Sequence, residues 1–334
     1  MNKIVFILIV LFAINSINAQ DPQFTQFYSN SLYLNPAFAG KDLSPRFHSG
    51  YRNQWPEVEN AYVTYNLEYD QFSEKIHGGF GVQFLYDKTG NGLLNTGMFG
   101  ICYAYQLKLS KGWNINFGLK GSFVQKSINW SRAIWPDQIS ATGGVVYPTS
   151  QIRGDNANYF DASSGIVAFS RKFFFGAAVN HLTRPDETLF FNNNRSNKIP
   201  IRTTFHGGYQ IEVLRNGLFH KALFVSPNVL FDFQSNFKQF NFGSYFVDGV
   251  LAFGIWYRHT NFLDAFKNEI SLQDAFVLMG GIENSKMRIG YSYDLNLSKY
   301  IRSSSGSHEI SLTFDLPESK QKSNKYRVIY CPVF

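Results

Sequence analysis

The stretch MRIGYSYDLNL, residues 287–297, decides how this chain is read. Its odd positions hold Met287, Ile289, Tyr291, Tyr293, Leu295 and Leu297, and its even positions hold Arg288, Gly290, Ser292, Asp294 and Asn296. Alternate side chains of a strand point to opposite faces, so this segment is a strand with one oily and one wet side. The same alternation runs through Ile201, Thr203, Phe205, Gly207, Tyr209, Ile211 and Val213, set against Arg202, Thr204, His206, Gly208, Gln210 and Glu212. It returns in Ala61, Val63, Tyr65, Leu67 and Tyr69 opposite Thr64, Asn66, Glu68 and Asp70, and in Ile310, Leu312, Phe314 and Leu316 opposite Ser311, Thr313 and Asp315.

Extended along the chain, the pattern predicts strands over 45–54, 61–72, 76–87, 95–109, 113–128, 160–170, 172–182, 200–214, 222–233, 236–247, 249–260, 272–283, 285–297 and 307–316. Their connections alternate in length. Those after even strands are mostly tight: Ser73-Glu74-Lys75, Ser110-Lys111-Gly112, Arg171, Asp248 and Asn284. Those after odd strands are longer, notably 129–159 and 183–199, with shorter ones at 55–60, 88–94, 261–271 and 298–306; the connection at 234–235 breaks the trend. Turns at one end and loops at the other predict an all-β, transmembrane antiparallel β-barrel of about 14 strands, its turns and both termini periplasmic. A soluble β-sandwich also alternates. It leaves the loop asymmetry and the consistently aromatic oily face unexplained, whereas a bilayer demands closure because unpaired edge groups find no partner in lipid. On a lipid-facing strand an arginine at Tyr291 should cost more than one at the lumen-facing Ser292.

Composition agrees. Aromatic residues make up 17% of the chain and charged ones only 16%, below the ~25% charged of soluble domains. No segment after the leader is a continuous apolar span, so the oily residues are spread singly along strands. The net charge of +7 is scattered, which favours a lipid headgroup surface over nucleic acid. Cys102 and Cys331 are either one disulfide of an oxidising compartment or buried free thiols.

The first 19 residues carry Lys3, the apolar run Ile4 to Ile14, and a small-residue exit at Ala19. They form an export signal whose cleavage leaves Gln20 first; the apolar run is short for a ~20-residue membrane anchor. The organisation expected is a signal peptide over 1–19, an N-terminal periplasmic or luminal segment over 20–43, a barrel over 44–316 and a periplasmic tail over 317–334. Within 20–43, Phe24, Phe27, Tyr28 and Leu32 have the spacing of one or two amphipathic helical turns, broken by Asn35-Pro36. A barrel of this size leaves a lumen to be wet or filled. Either this segment enters it, or it caps the base.

Catalytic and metal patterns are missing from the sequence. Asp87-Lys88-Thr89-Gly90-Asn91-Gly92 opens like a calcium loop, but the twelfth position is Met98, which supplies no carboxylate. The seven histidines show no metal-ligand spacing and no serine sits in a GxSxG elbow, so no enzyme, cofactor or metal is expected. In the long loops Trp130, Trp135, Tyr147, Arg132 and Arg153 are of the types enriched at protein-binding hot spots. Trp130 suits an interface girdle. Trp135, Arg153, Arg184, Phe190 and Phe191 are the candidate docking residues for a partner. The tail PESKQKSNKYRVIYCPVF turns from charged to apolar; Pro332 argues against a further strand, so docking on the barrel base or on a partner is expected.

Against this frame the N-terminal motifs Asp21-Pro22-Gln23-Phe24-Thr25-Gln26-Phe27 and Asn35-Pro36-Ala37-Phe38-Ala39-Gly40 resemble the opening of the PorP/SprF family. FLYDKTGNGLLNTGMFGICYAYQLKLS (84–110), YFDASSGIVAFSRKFFFGAAVNHL (159–182), SPNVLF (226–231), GYSYDLNLS (290–298) and SHEISLTF (307–314) extend the resemblance over the chain. The family comprises outer-membrane proteins associated with type IX secretion and gliding motility. The resemblance implies two partners besides lipid: type IX components on the periplasmic side, and a secreted surface protein carrying a C-terminal sorting domain. It implies a role in anchoring or escorting that cargo; a porin or hydrophobic-solute transporter shares every barrel feature and is the alternative.

Overall fold

The computed structural model describes residues 21–316, except 43, 59–61, 110–111, 141–144, 146, 150–155, 190–196, 216–221, 262–273, 285 and 298–305, and in addition residue 329. The expected signal peptide and nearly all of the tail, including Cys331, lie outside the described residues.

Period-two hydrophobicity becomes one antiparallel sheet that closes on itself. The strands are β1 (Arg46–Gln54), β2 (Tyr62–Ser73), β3 (Gly78–Thr89), β4 (Leu94–Lys108), β5 (Asn114–Ile128), β6 (Ala157–Phe169), β7 (Phe173–Asn180), β8 (Arg202–Tyr209), β9 (Ile211–Arg215), β10 (Ala222–Gln234), β11 (Phe237–Asp248), β12 (Leu251–Thr260), β13 (Ala275–Glu283), β14 (Met287–Asn296) and β15 (Ser307–Asp315). β8 and β9 both pair with β10 on either side of Gln210, so they are two pieces of one span. A register shift between Leu223 and Phe224 marks a bulge there. The barrel therefore has 14 staves. Closure is made by β1 on β15, from Arg46 opposite Asp315 to Gln54 opposite Ser307. Every predicted strand is present; the largest differences are at the start of β6, at Ala157 against 160, and of β13, at Ala275 against 272.

The alternation sorts as the bilayer requires. In β14, Ile289, Tyr291 and Leu295 are exposed on the outer face while Gly290, Ser292 and Asp294 are buried on the inner one. Around the barrel the outer belt is built from side chains such as Phe84, Phe99, Phe117, Phe160, Phe205, Phe242 and Phe276, all exposed. An apolar belt of this extent is unsuited to water and suited to lipid. The inner face carries Arg46, His48, Arg52, Glu68, Asp70, Lys120, Arg202, Asp232, Arg258, Asp294 and Glu309, all buried. Fully charged side chains are seldom buried without partners, so the lumen cannot be empty space. The end of the barrel carrying the tight connections, such as the 3-10 turn Glu74–Ile76, is called the turn end. The opposite end, which carries the described residues of the connections after β5 and β7, is the loop end.

Candidate functional site: the N-terminal plug and the loop-end vestibule

Residues 21–41 fill the lumen. All but Asp21, Pro22, Gln23 and Tyr33 are buried. The segment makes one short helix, α1 (Ser31–Leu34), then the 3-10 turn Pro36–Phe38, with Asn35 extended between them. Asn35 accepts the Ala37 N–H on its Oδ1 at 2.9 Å, and Pro36 at the first position of the turn has no N–H to leave unsatisfied. The Asn35 amide also donates to the carbonyls of Ile166, 3.3 Å, and Ala177, 3.2 Å. The Asn-Pro pair thus ends one turn, starts another and pins both to the wall between β6 and β7.

So little of the segment is regular that most of its backbone N–H groups need partners from outside. Wall carboxylates supply them. Glu309 accepts from Thr25 N at 2.6 Å, Gln26 N at 3.2 Å and the Asn30 amide at 3.1 Å. Glu68 accepts from Leu32 N and Tyr33 N, both at 3.2 Å, and Asp70 from Gly40 N at 2.9 Å. Asp294 accepts the Thr25 hydroxyl at 2.8 Å. Arg46 neutralises Asp70 at 2.6 Å, while Arg52 bridges Asp294 at 2.9 Å and Glu309 at 3.2 Å, and Arg258 reaches Asp294 at 2.9 Å. Buried carboxylates are tolerable only when paired and hydrogen-bonded, and here the plug completes what the arginines begin.

The opposite wall is apolar. Phe27 meets Trp256 edge-on at 4.8 Å and Tyr28 meets Phe174 edge-on at 5.4 Å. With Leu34, Ala37 and Phe38 they form one core with Val167, Phe169, Leu230, Tyr245, Val277 and Met279. Ile329 from the tail joins this core, and its N–H donates to the Lys41 carbonyl at 3.1 Å. The wall makes room for the plug at Gly118, where a Cβ would stand 2.2 Å from Ala37 N. Gly40, at φ +68°, lies so close to the start of β3 that its own Cβ would stand 2.7 Å from Gly79 Cα.

Those contacts fix the direction of the segment. Gly40 lies by the turn end. At the other extreme Asp21 pairs with His181, just past β7, at 2.8 Å, and with Arg202 at 3.6 Å. The plug therefore enters by the turn end and climbs the lumen, so that Asp21 points toward the loops. His181 also meets Asp161 at 2.7 Å. Burial works against a charge on His181, but the Asp21 and Asp161 carboxylates outweigh it and hold its pKa up at about 10. Above Asp21, Pro22, Gln23 and Tyr33 lies a cavity of about 470 Å³, walled by β1 to β8 and including Trp55, Tyr62 and Tyr159.

The family-motif residues Asp21, Pro22, Gln23, Phe24, Asn35, Pro36, Ala37, Phe38 and Gly40 are thus all plug residues, and Phe24 stacks edge-on with Tyr33 at 5.1 Å. Among the loop candidates, Trp135 stacks on Trp130 with ring centroids 5.8 Å apart. Arg184 is exposed on the loop after β7. Arg153, Phe190 and Phe191 lie outside the described residues. Ser292, where an arginine was expected to cost less than at Tyr291, is fully buried and accepts from the Gln26 amide at 3.3 Å, so the lumen position is occupied by the plug. Glu68, Asp70, His206, Asp294 and Glu309, which seat the plug, were not singled out for that task from the sequence, although Glu68, Asp70, His206 and Asp294 stood on the wet faces it identified. Cys102 is a buried free thiol facing the same space. Among the described residues no group of three His, Cys, Asp or Glu side chains is arranged to hold a metal ion.

Lipid-facing aromatics, a closed antiparallel wall and a filled lumen define an outer-membrane β-barrel that carries its own N-terminal plug. The chain belongs to the family described as type IX secretion system membrane protein PorP/SprF, whose model matches residues 16–314. No curated protein matches it. Among solved structures it is similar to the Acinetobacter baumannii outer membrane protein Omp33, with 7% identity over 83% of this chain and 100% of that one and a TM-score of 0.43. It is also similar to the P. putida toluene transporter TodX, with 8% identity over 84% and 92% and a TM-score of 0.45. The monoaromatic hydrocarbon channel CymD matches with 9% identity over 86% and 93% and a TM-score of 0.46. Family membership and the barrel fold place the protein in the outer membrane, in association with the type IX secretion machinery.

Proposed function

We propose that this barrel is a non-conducting anchor that holds or escorts a type IX cargo at the cell surface. Its turn end faces the periplasmic machinery and its loop end faces the cargo. The observation that carries the reading is the seating of residues 21–41. A solute would have to displace a segment whose backbone is bonded to three buried carboxylates and whose aromatics are packed into one wall. The short-turn and long-loop asymmetry supports the orientation. On this reading a periplasmic partner reaches the turns and the tail around Ile329. A surface protein with a C-terminal sorting domain reaches the loops, with Trp135, Arg153, Arg184, Phe190 and Phe191 as the candidate contacts.

Planar-bilayer recording of the purified barrel tests the reading. The expected trace is closed, and a steady open conductance would establish the porin or solute-transporter alternative. In cells, deleting 135–150 should leave a folded barrel and release the surface partner into the medium. Undisturbed display of every type IX substrate in that strain would remove the case for anchoring.

A further inference from the structure

The loop-end cavity has an unbalanced set of polar groups. Eight charged side chains line it, and six are already paired: Asp21 and Asp161 with His181, Arg202 with Asp21, and Lys126 with Glu187 at 2.6 Å. A seventh, Asp87, takes the hydroxyls of Thr64 at 2.6 Å and Thr89 at 3.2 Å. The eighth is Lys120. It is buried, it donates to the Leu32 backbone carbonyl at 3.4 Å and the Gln83 side-chain amide oxygen at 3.3 Å, it lies over the Tyr33 ring at 5.9 Å, and it makes no ion pair among the described residues.

Strand register puts further donors beside it. Lys120 on β5 is opposite Ser163 on β6. Ser164 opposite Val179 places Ser163 level with Asn180 on β7, and Asn180 is opposite Arg202 on β8. Ammonium, hydroxyl, carboxamide and guanidinium therefore stand in one row along the cavity wall. Asn180 is more than nine-tenths buried, and its Nδ2 has no hydrogen-bond partner among the described residues. An unmatched donor of this kind is costly unless an acceptor comes to it.

We propose that the row receives a carboxylate carried by a peptide of the surface partner. The bound group would accept from the Lys120 ammonium and the Asn180 amide, with Ser163 beside them. A volume of about 470 Å³ is larger than a bare anion needs and lies within the ~300–1,000 Å³ of small-ligand sites. The walls above the row offer Trp55, Tyr62 and Tyr159, which suit an amphipathic peptide rather than a free ion. Chain-end carboxylates are a recurrent handle in peptide recognition. The inference rests on the reading of the loop end as the cargo face.

The test uses the full-length barrel in detergent and three probes: a fluorescent hexapeptide pool with free C-terminal carboxylates, the same pool as C-terminal amides, and inorganic phosphate. The free-carboxylate pool should bind at least tenfold more tightly than the amide pool. Asn180→Asp, which exchanges the donor for an acceptor of the same shape, and Lys120→Gln should each abolish that preference. Lys120→Arg should keep it, which separates recognition from a mere folding effect; heat-modifiable gel migration confirms each variant is folded. Absence of binding, equal binding of amides, or displacement of the pool by an equal concentration of phosphate would each overturn the proposal. A closed barrel without carboxylate preference sinks this inference alone, whereas a conducting barrel with the preference sinks the anchoring role alone.

Discussion

Gly118→Val tests whether the plug is wedged or merely lodged. Gly118 faces the lumen in the middle of β5, and valine favours a strand, so the wall itself should tolerate the change. The new Cβ would stand 2.2 Å from Ala37 N, 2.4 Å from Pro36 C and 2.6 Å from Ala37 Cα, all plug backbone. Restoring an ordinary 3.4 Å contact from 2.2 Å needs a shift of 1.2 Å. A movement of that size breaks the bond from the Asn116 amide to the Ala37 carbonyl, 3.1 Å, and at least one of the two bonds from Asn35 to β6 and β7. At about 1 kcal/mol for each of two bonds, plus part of the ~1.5–3 kcal/mol of burying Phe38, the seat weakens by about 3–4 kcal/mol. Since 1.4 kcal/mol is tenfold, the unseated population rises by roughly two to three orders of magnitude. Cys102 is a native reporter, being buried in the lumen beside Leu32. In a Cys331→Ser background it should resist a water-soluble maleimide, and Gly118→Val should make it react at a rate raised by about that factor. Channel openings should appear in parallel. A folded Gly118→Val barrel with a protected Cys102 and a closed trace would refute the wedge.

Three further outcomes follow from the same geometry. Tyr291→Arg on the lipid face should cost about 2–4 kcal/mol near the bilayer midplane, and Ser292→Arg should be at least as damaging because it collides with Gln26; heat-modifiable migration compares them, and a benign Ser292→Arg would contradict the filled lumen. His181 has its pKa raised from 6.5 to about 10, so its ion pairs stabilise fully below the unfolded value and are lost as pH rises through about 10. The stability gap between wild type and His181→Gln should therefore narrow between pH 7 and pH 10.5; a constant gap would show that the charge is not what holds Asp21. Deleting 318–334 removes Ile329, whose burial is worth about 1.5–3 kcal/mol, and should lower the melting temperature of the folded band while weakening contact with the periplasmic machinery; an unchanged barrel and unchanged contact would relieve the tail of both roles.

The wall was legible from sequence because lipid on one side and a polar lumen on the other force every strand into the same period of two. Residues 287–297 show this in isolation, and β8 shows it again. Tight turns were legible for the complementary reason that few residues fit them. The plug was legible only in outline. The spacing of Phe24, Phe27, Tyr28 and Leu32 suggested helical turns, yet only Ser31–Leu34 is α-helical, because wall carboxylates take over the backbone hydrogen bonds that a longer helix would make for itself. The seat was hidden for a different reason. A lumen-facing Glu68 or Glu309 has the same place in the alternation whether it meets water or a protein backbone, and Asp21 and His181 meet across 160 residues of chain. The row Lys120, Ser163, Asn180 and Arg202 becomes visible only once register joins four strands.

What the plug contributes follows from the unequal walls. On the β1, β2, β14 and β15 side it supplies N–H donors that buried carboxylates would otherwise lack, so removing it leaves charge underserved as well as a hole. On the β6, β7 and β10 to β13 side it supplies apolar area. An empty lumen would wet both walls. It would relieve the first and penalise the second by exposing Phe174, Leu230, Trp256 and Met279 to water. The polar wall thus fixes the register of the plug, through directional bonds to Glu309, Glu68 and Asp70, while the apolar wall holds it in. One segment also spans the barrel's height, from Lys41 bonded to Ile329 at the turn end to Asp21 under the loop-end cavity. A partner that moves the tail and a partner that enters the cavity therefore act on the same twenty or so residues. That shared element gives the two ends of a closed barrel a physical means of sensing each other without opening a pore.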